Sequence, residues 1–145
     1  MSFLNSMNIS ASALTASRLR MDVVAENMAN INTTRTETGD PYRRRYVVYQ
    51  EKSPDRDFSK FFNRARNTAG GGVRVVEIGT DMSEFKYDYN PSHPDADENG
   101  FVRMPNVEVV QEMVDMMSAF RAYEANLTAL NVFKDMAVKT LEIGR

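Results

Sequence analysis

The chain has 145 residues, a formal net charge of −2 and no cysteine, with a pI near 5.5. That length holds one domain, or one domain with a small insertion. The slightly acidic balance argues against a general nucleic-acid binder, the absence of cysteine excludes disulfides and thiol chemistry, and no apolar run approaches the roughly 20 residues that cross a bilayer.

The first predicted element is a helix over residues 6–31. Met7, Leu14, Met21 and Met28 recur every seven residues, with Ser10, Ser17, Val24 and Ile31 as a companion row offset by three. Such spacing places both rows on one helix face. The run Asn27-Met28-Ala29-Asn30-Ile31-Asn32-Thr33 reads as the helix exit, because asparagine bonds back to nearby main chain. Residues 35–41 are polar and end in the turn Gly39-Asp40-Pro41.

A small β insertion is expected next. Residues 42–50 are rich in tyrosine and valine and form a predicted strand. Arg43, Arg44 and Arg45 make a basic knot within it; an acidic chain makes a solvated edge or an acidic partner the better reading than a phosphate contact. Residues 54–69 are charged, with a helical turn expected near 58–62. The glycines at 70–72 read as a flexible hinge. Further strands are expected at 73–78 and 84–89, the latter alternating Phe85, Tyr87 and Tyr89 with Glu84, Lys86 and Asp88.

Residues 90–100 form a proline-braced loop. Asp95, Asp97, Asn99 and Gly100 match the first half of a calcium loop of the EF-hand type, but the twelfth position is Asn106 where a bidentate glutamate is needed. Pro91 and Pro94 also bar the entering helix. His93 is the sole histidine, too little for a zinc site. No metal, cofactor or small-molecule substrate is expected, and no catalytic constellation is present.

The last predicted helix covers residues 106–142, with Asn106 as its N-cap and Gly144 as its stop. Val109, Met113, Met116, Phe120, Tyr123, Leu127, Leu130, Lys134, Ala137 and Leu141 alternate steps of four and three. Val110, Val114 and Met117 widen that stripe. One helix cannot bury it on itself, so it requires partners. The candidate subunit-contact residues are Leu14, Met21, Val24, Met28 and Ile31 on the first helix, and Val109, Met113, Met116, Phe120, Tyr123, Leu127, Leu130 and Leu141 on the last. The organisation is an N-terminal helix (1–34), a β-rich insertion (35–105) and a C-terminal helix (106–145), a mainly α fold in which the two seams favour pairing of the terminal helices.

Two stretches add a resemblance. Residues 13–33, above all Asn27, Ala29, Asn30, Asn32 and Thr33, resemble the N-terminal signature of bacterial flagellar rod and hook proteins. Ser92-His93-Pro94-Asp95-Ala96-Asp97-Glu98-Asn99-Gly100, then Met104-Pro105-Asn106-Val107, Tyr123-Glu124-Ala125-Asn126 and the ending Leu141-Glu142-Ile143-Gly144-Arg145, are similar to the proximal rod members of the basal-body family. The resemblance implies a structural, non-enzymatic subunit of the flagellar basal body. Its terminal helices would pair as an antiparallel coiled coil, and many copies would stack around a channel into a periplasm-spanning, torque-transmitting rod needed for motility. It also implies type III export without a cleaved signal peptide. Implied partners are copies of itself, other rod proteins, the membrane-ring adaptor and the export apparatus. From the residues alone, a cytoplasmic coiled-coil adaptor or regulator is the alternative.

Overall fold

A computed structural model describes residues 3–52 and 71–143. In chain order the elements are α1 (Phe3–Ala29), β1 (Arg45–Glu51), β2 (Val73–Thr80), β3 (Lys86–Tyr89), β4 (Phe101–Met104) and α2 (Val109–Ile143). The fold is mainly helical, with two long terminal helices and small antiparallel strand pairs between them.

α1 runs 27 residues without glycine or proline, the two residues that most disfavour a helix interior. It stops at the asparagines. Asn30 sends both its backbone N–H (3.1 Å) and its side-chain amide (2.9 Å) to the Glu26 carbonyl. Thr33 returns its N–H to the Asn30 carbonyl and its hydroxyl to Asn30 Oδ1, both at 3.1 Å. These bonds occupy carbonyl and amide groups that a helix end otherwise leaves to water.

β1 and β2 form an antiparallel ribbon, from Arg45 opposite Thr80 to Glu51 opposite Val73, with an irregularity between Val48 and Tyr49. The ribbon lies on α1. Val73 donates its N–H to Ser12 Oγ at 3.1 Å, and the half-buried Val47, Val73 and Val75 contrast with exposed Val48, Val76 and Ile78. Of the glycines expected to form a hinge, Gly71 and Gly72 serve a close approach. Gly72 has φ +98, and a Cβ there would overlap Ser12 Oγ; only glycine meets both demands. Lys52 and Gly71–Gly72 exchange backbone bonds of 2.8 and 3.1 Å that extend the ribbon. The expected turn at 58–62, and Gly70 and Gly144, lie outside the described residues.

β4 was not among the expected strands. It pairs antiparallel with β3, Lys86 opposite Met104 and Tyr89 opposite Phe101, so the loop at 90–100 joins two strands of a hairpin. A second correction concerns Asn106. α2 starts at Val109, and Asn106 is no N-cap: its Oδ1 accepts the Arg44 N–H (2.8 Å), while its amide donates to the Asp81 carbonyl (3.1 Å) and Ser83 Oγ (2.8 Å). The side chain staples three chain segments together, which an N-cap bond would not allow.

α1 and α2 pack side by side and antiparallel, Asn27 meeting Glu112 and Arg20 meeting Asp115. Among the described residues the buried apolar side chains are Ala16, Val23, Val24, Tyr42, Val102, Val107 and Ala119. Four of these side chains are valine and two alanine, so the apolar core is slight, and polar bonds carry much of the cohesion at this end of the helix pair.

Candidate functional site

The helix pair is held at one end by a buried polar clasp. Asn27 is 0% exposed, yet every bonding position of its amide is used. Its Nδ2 donates to the Arg45 carbonyl at 2.9 Å and to Glu112 Oε2 at 3.0 Å, and its Oδ1 accepts from the Tyr42 hydroxyl and the Arg45 N–H, both at 2.9 Å. An amide offers two donors and two acceptor lone pairs, so the group is satisfied in full. Glu112, also 0% exposed, accepts from Arg44 Nε with its other oxygen. Arg44 then reaches Asp115 Oδ2 at 3.0 Å, and Arg20 reaches Asp115 Oδ1 at 2.8 Å. Two helices and the first strand region thus share one network.

The basic knot is consumed by this geometry. Arg44 turns inward to Glu112 and Asp115. Arg45 pairs with Glu26 at 2.8 Å. Arg43 donates to the Ser83 carbonyl at 3.2 Å and lies 4.1 Å over the Phe85 ring. Burial pulls the Arg44 guanidinium down, but the hydrogen bond and charge of Glu112, with Asp115 and Asp81, outweigh it and leave it above its ordinary value. Arg44 is thus turned inward, whereas Arg45, 46% exposed, keeps the solvated edge weighed from sequence.

Burial pushes the Tyr42 phenol up from its ordinary value near 10; the nearby Glu26 carboxylate adds to the rise, Arg45 opposes it and Glu112 adds further. A phenol whose folded value is raised stabilises the fold fully below its unfolded value and loses that contribution as pH climbs through the folded one. Stability should therefore fall above about pH 10. In a spectrophotometric titration of tyrosinate, Tyr42→Phe should remove one of the late-titrating steps; Tyr49, raised mainly by burial, would keep another. An unchanged late limb would contradict the assignment.

The motif residues at 92–100 brace the hairpin loop. Asp97 Oδ1 accepts the Asn99 and Phe101 N–H groups at 3.0 and 2.9 Å, and His93 Nδ1 accepts the Asp95 N–H at 3.1 Å. Asp95 Oδ2 takes the Thr34 hydroxyl at 2.8 Å, tying the loop to the exit of α1. Gly100 has φ +82 and stands against Tyr89 and Pro91. Among the described residues no carboxylate, histidine or cysteine group is clustered to hold a metal. Ser92, Pro94 and Asn99 are exposed, as are Ala29 and Asn32 at the exit of α1.

The expected contact residues separate into two sets. On α1, Val24 is buried, and Leu14, Met21, Met28 and Ile31, the last just past the helix end, are half-buried. On α2, Met116, Tyr123 and Leu130 are half-buried, but Val109 (41%), Met113 (50%), Phe120 (50%), Leu127 (39%) and Leu141 (76%) are exposed. The row that shares the α1-facing side is Glu112, Ala119, Asn126 and Phe133. The single apolar stripe read from sequence is therefore divided: one row meets α1 and the other faces outward, next to exposed Val110, Val114 and Met117. The pairing of Glu112 with Arg44, the pivot of the clasp, was not read from the sequence: Arg44 stood out only as part of the basic knot, and Glu112 only as a carboxylate near the start of the last helix.

The comparisons agree with this architecture. The family described as "Flagella basal body rod protein" matches residues 7–35, which contain most of α1 and its exit. "Flagellar basal body rod FlgEFG protein C-terminal" matches residues 98–143, β4 and α2. The chain belongs to the flagellar basal-body rod protein family, whose members are structural subunits and not enzymes. More particularly, it is similar over its whole length to proteins named flagellar basal-body rod protein FlgC. The Bacillus subtilis protein is 47% identical over 152 residues, covering 100% of both chains. That of Escherichia coli O6:H1 is 42% identical, also covering 100% of both. That of Aquifex aeolicus is 39% identical, covering 98% of this chain and 97% of its own. The matches place the chain with rod subunits of the basal body and give the cytoplasmic adaptor reading no support. No described helix is long and apolar enough to cross a membrane.

Proposed function

We propose that this chain is a proximal-rod subunit that assembles through its terminal helices, α1 and α2 closing on each other as an antiparallel coiled coil and α2 offering its outward row to neighbouring subunits. The observation that carries this reading is the exposure of Met113, Phe120 and Leu127 on a helix whose other face is already occupied by α1. Apolar residues lined up along an exposed helix mark an interaction surface, and burying a Leu or Phe side chain yields roughly 1.5–3 kcal/mol. Steps of four and three through Glu112, Met116, Ala119, Tyr123, Asn126, Leu130, Phe133 and Ala137 support the coiled-coil geometry. In this reading the subunit is exported through the flagellar type III apparatus and becomes part of a periplasm-spanning, torque-transmitting rod. Its partners are copies of itself, other rod proteins and the membrane-ring adaptor. The candidate contact and motif residues keep that role: the α1-facing set closes the subunit, the outward set joins it to others, and the motif residues hold the two ends in place. The test is biochemical fractionation of a complemented deletion strain. The protein should co-purify with detergent-extracted basal bodies and restore swimming; recovery only from the soluble cytoplasm, with motility restored, would contradict the proposal.

A further inference from the structure

The described elements fall into two halves. α1 carries the β1–β2 ribbon, whereas α2 follows the β3–β4 hairpin, and the sole element-to-element contact between the halves is α1 against α2. Outside the helices, Asn106 ties the halves through the Arg44 N–H (2.8 Å) and the Asp81 carbonyl (3.1 Å), and at the edges Thr34 meets Asp95 and Arg103 lies 3.5 Å from Asp40, both exposed pairs. Along the helices themselves, the alignment depends on what fixes α2 on α1.

The apolar part of the seam fixes it poorly. Ser10, Ser17 and Val24 repeat at heptad spacing on α1, and Met116, Tyr123, Leu130 and Ala137 on α2; small and adaptable side chains accept a neighbour displaced by one heptad. The clasp does not accept it. A heptad slip would bring Ala119 or Pro105 to the place of Glu112. Neither side chain has an acceptor. Asn27 Nδ2 would lose one of its two acceptors, and the Arg44 guanidinium, 23% exposed, would lose its nearest carboxylate. A buried donor or charge left without its partner is costly, which makes a polar group in a helix seam a register determinant.

We propose that Asn27, Arg44 and Glu112 form a register latch: they select one alignment of α2 on α1 and thereby set where the β3–β4 hairpin stands relative to the β1–β2 ribbon. This goes beyond the rod reading and does not depend on it, since the latch acts within one chain.

The test uses pulsed electron spin resonance on the full chain, which has no native cysteine to compete for label. Spin labels at Asp22→Cys and Thr128→Cys, both exposed positions, report the offset along the helix axes when diluted into unlabelled protein. The starting protein should give one narrow distance. Replacing the latch with apolar residues, Asn27→Leu with Arg44→Leu and Glu112→Leu, should leave helical circular dichroism intact while adding a second distance. That distance should be displaced by about 10 Å, one heptad at about 1.5 Å per residue. A single unchanged distance in the triple variant would overturn the latch. Loss of helix in that variant would overturn it too, because the cluster would then supply stability and not register.

Discussion

Glu112→Ala is expected to lower the stability of the subunit by roughly 3 kcal/mol, the lower end of the range for breaking a buried ion pair. The lower end applies because Arg44 retains 23% side-chain exposure and a second carboxylate, Asp115, at 3.0 Å. The loss has two sources: Asn27 Nδ2 loses one acceptor, and Arg44 Nε loses its own. In a thermal melt the midpoint should fall by about 10 °C. Val109→Ala, on the exposed outward row three residues earlier, should move it by well under a third of that. Equal shifts in the two variants would mean that the clasp has no special weight.

Leu127→Asp should have the opposite profile. In the single subunit Leu127 is 39% exposed, so the carboxylate stays hydrated and the melting midpoint should barely change. In an assembled rod, with the outward row against a neighbour, the same carboxylate would be desolvated without a partner, at a cost of several kcal/mol. The expected phenotype is a stable, soluble protein in non-motile cells that lack rods. Motile cells would remove the outward row from the assembly surface, whereas an unfolded variant would place Leu127 inside the subunit. Between them, these substitutions separate the inner face of α2 from the outer one.

The long helices were legible because heptad spacing survives in the letters. α2 could be read from its run of steps of four and three, and α1 from its methionine row. What could not be read was which side of α2 faces α1. The eye follows apolar residues, and the strongest apolar row, through Val109, Met113, Phe120 and Leu127, faces outward; the inner row includes a glutamate, an alanine and an asparagine. A carboxylate in an inner row looks unsuitable until Arg44 and Asn27 arrive from distant parts of the chain. Asn106 misled for a related reason: an asparagine just before a helix is a good N-cap by local rules, and only the fold brings Arg44, Asp81 and Ser83 close enough to claim it. β4 escaped because four residues give little periodicity and its partner strand lies across a braced loop. Local elements follow local physics; the polar clasp arises from residues far apart in sequence, and its partners become evident only in space.

The most direct measurement of the assembly claim is methionine oxidation by dilute peroxide, read by mass spectrometry on the free subunit and on isolated basal bodies. Met113 is 50% exposed and Met117 is 54% exposed in the single chain, and an exposed thioether converts readily to the sulfoxide. Both should oxidise quickly in the free subunit and be protected at least about tenfold in the basal body, where a neighbouring helix would cover them. Equal oxidation rates for Met113 and Met117 in the two preparations would contradict the account, because the outward row of α2 would then remain open to water in the particle it is held to build.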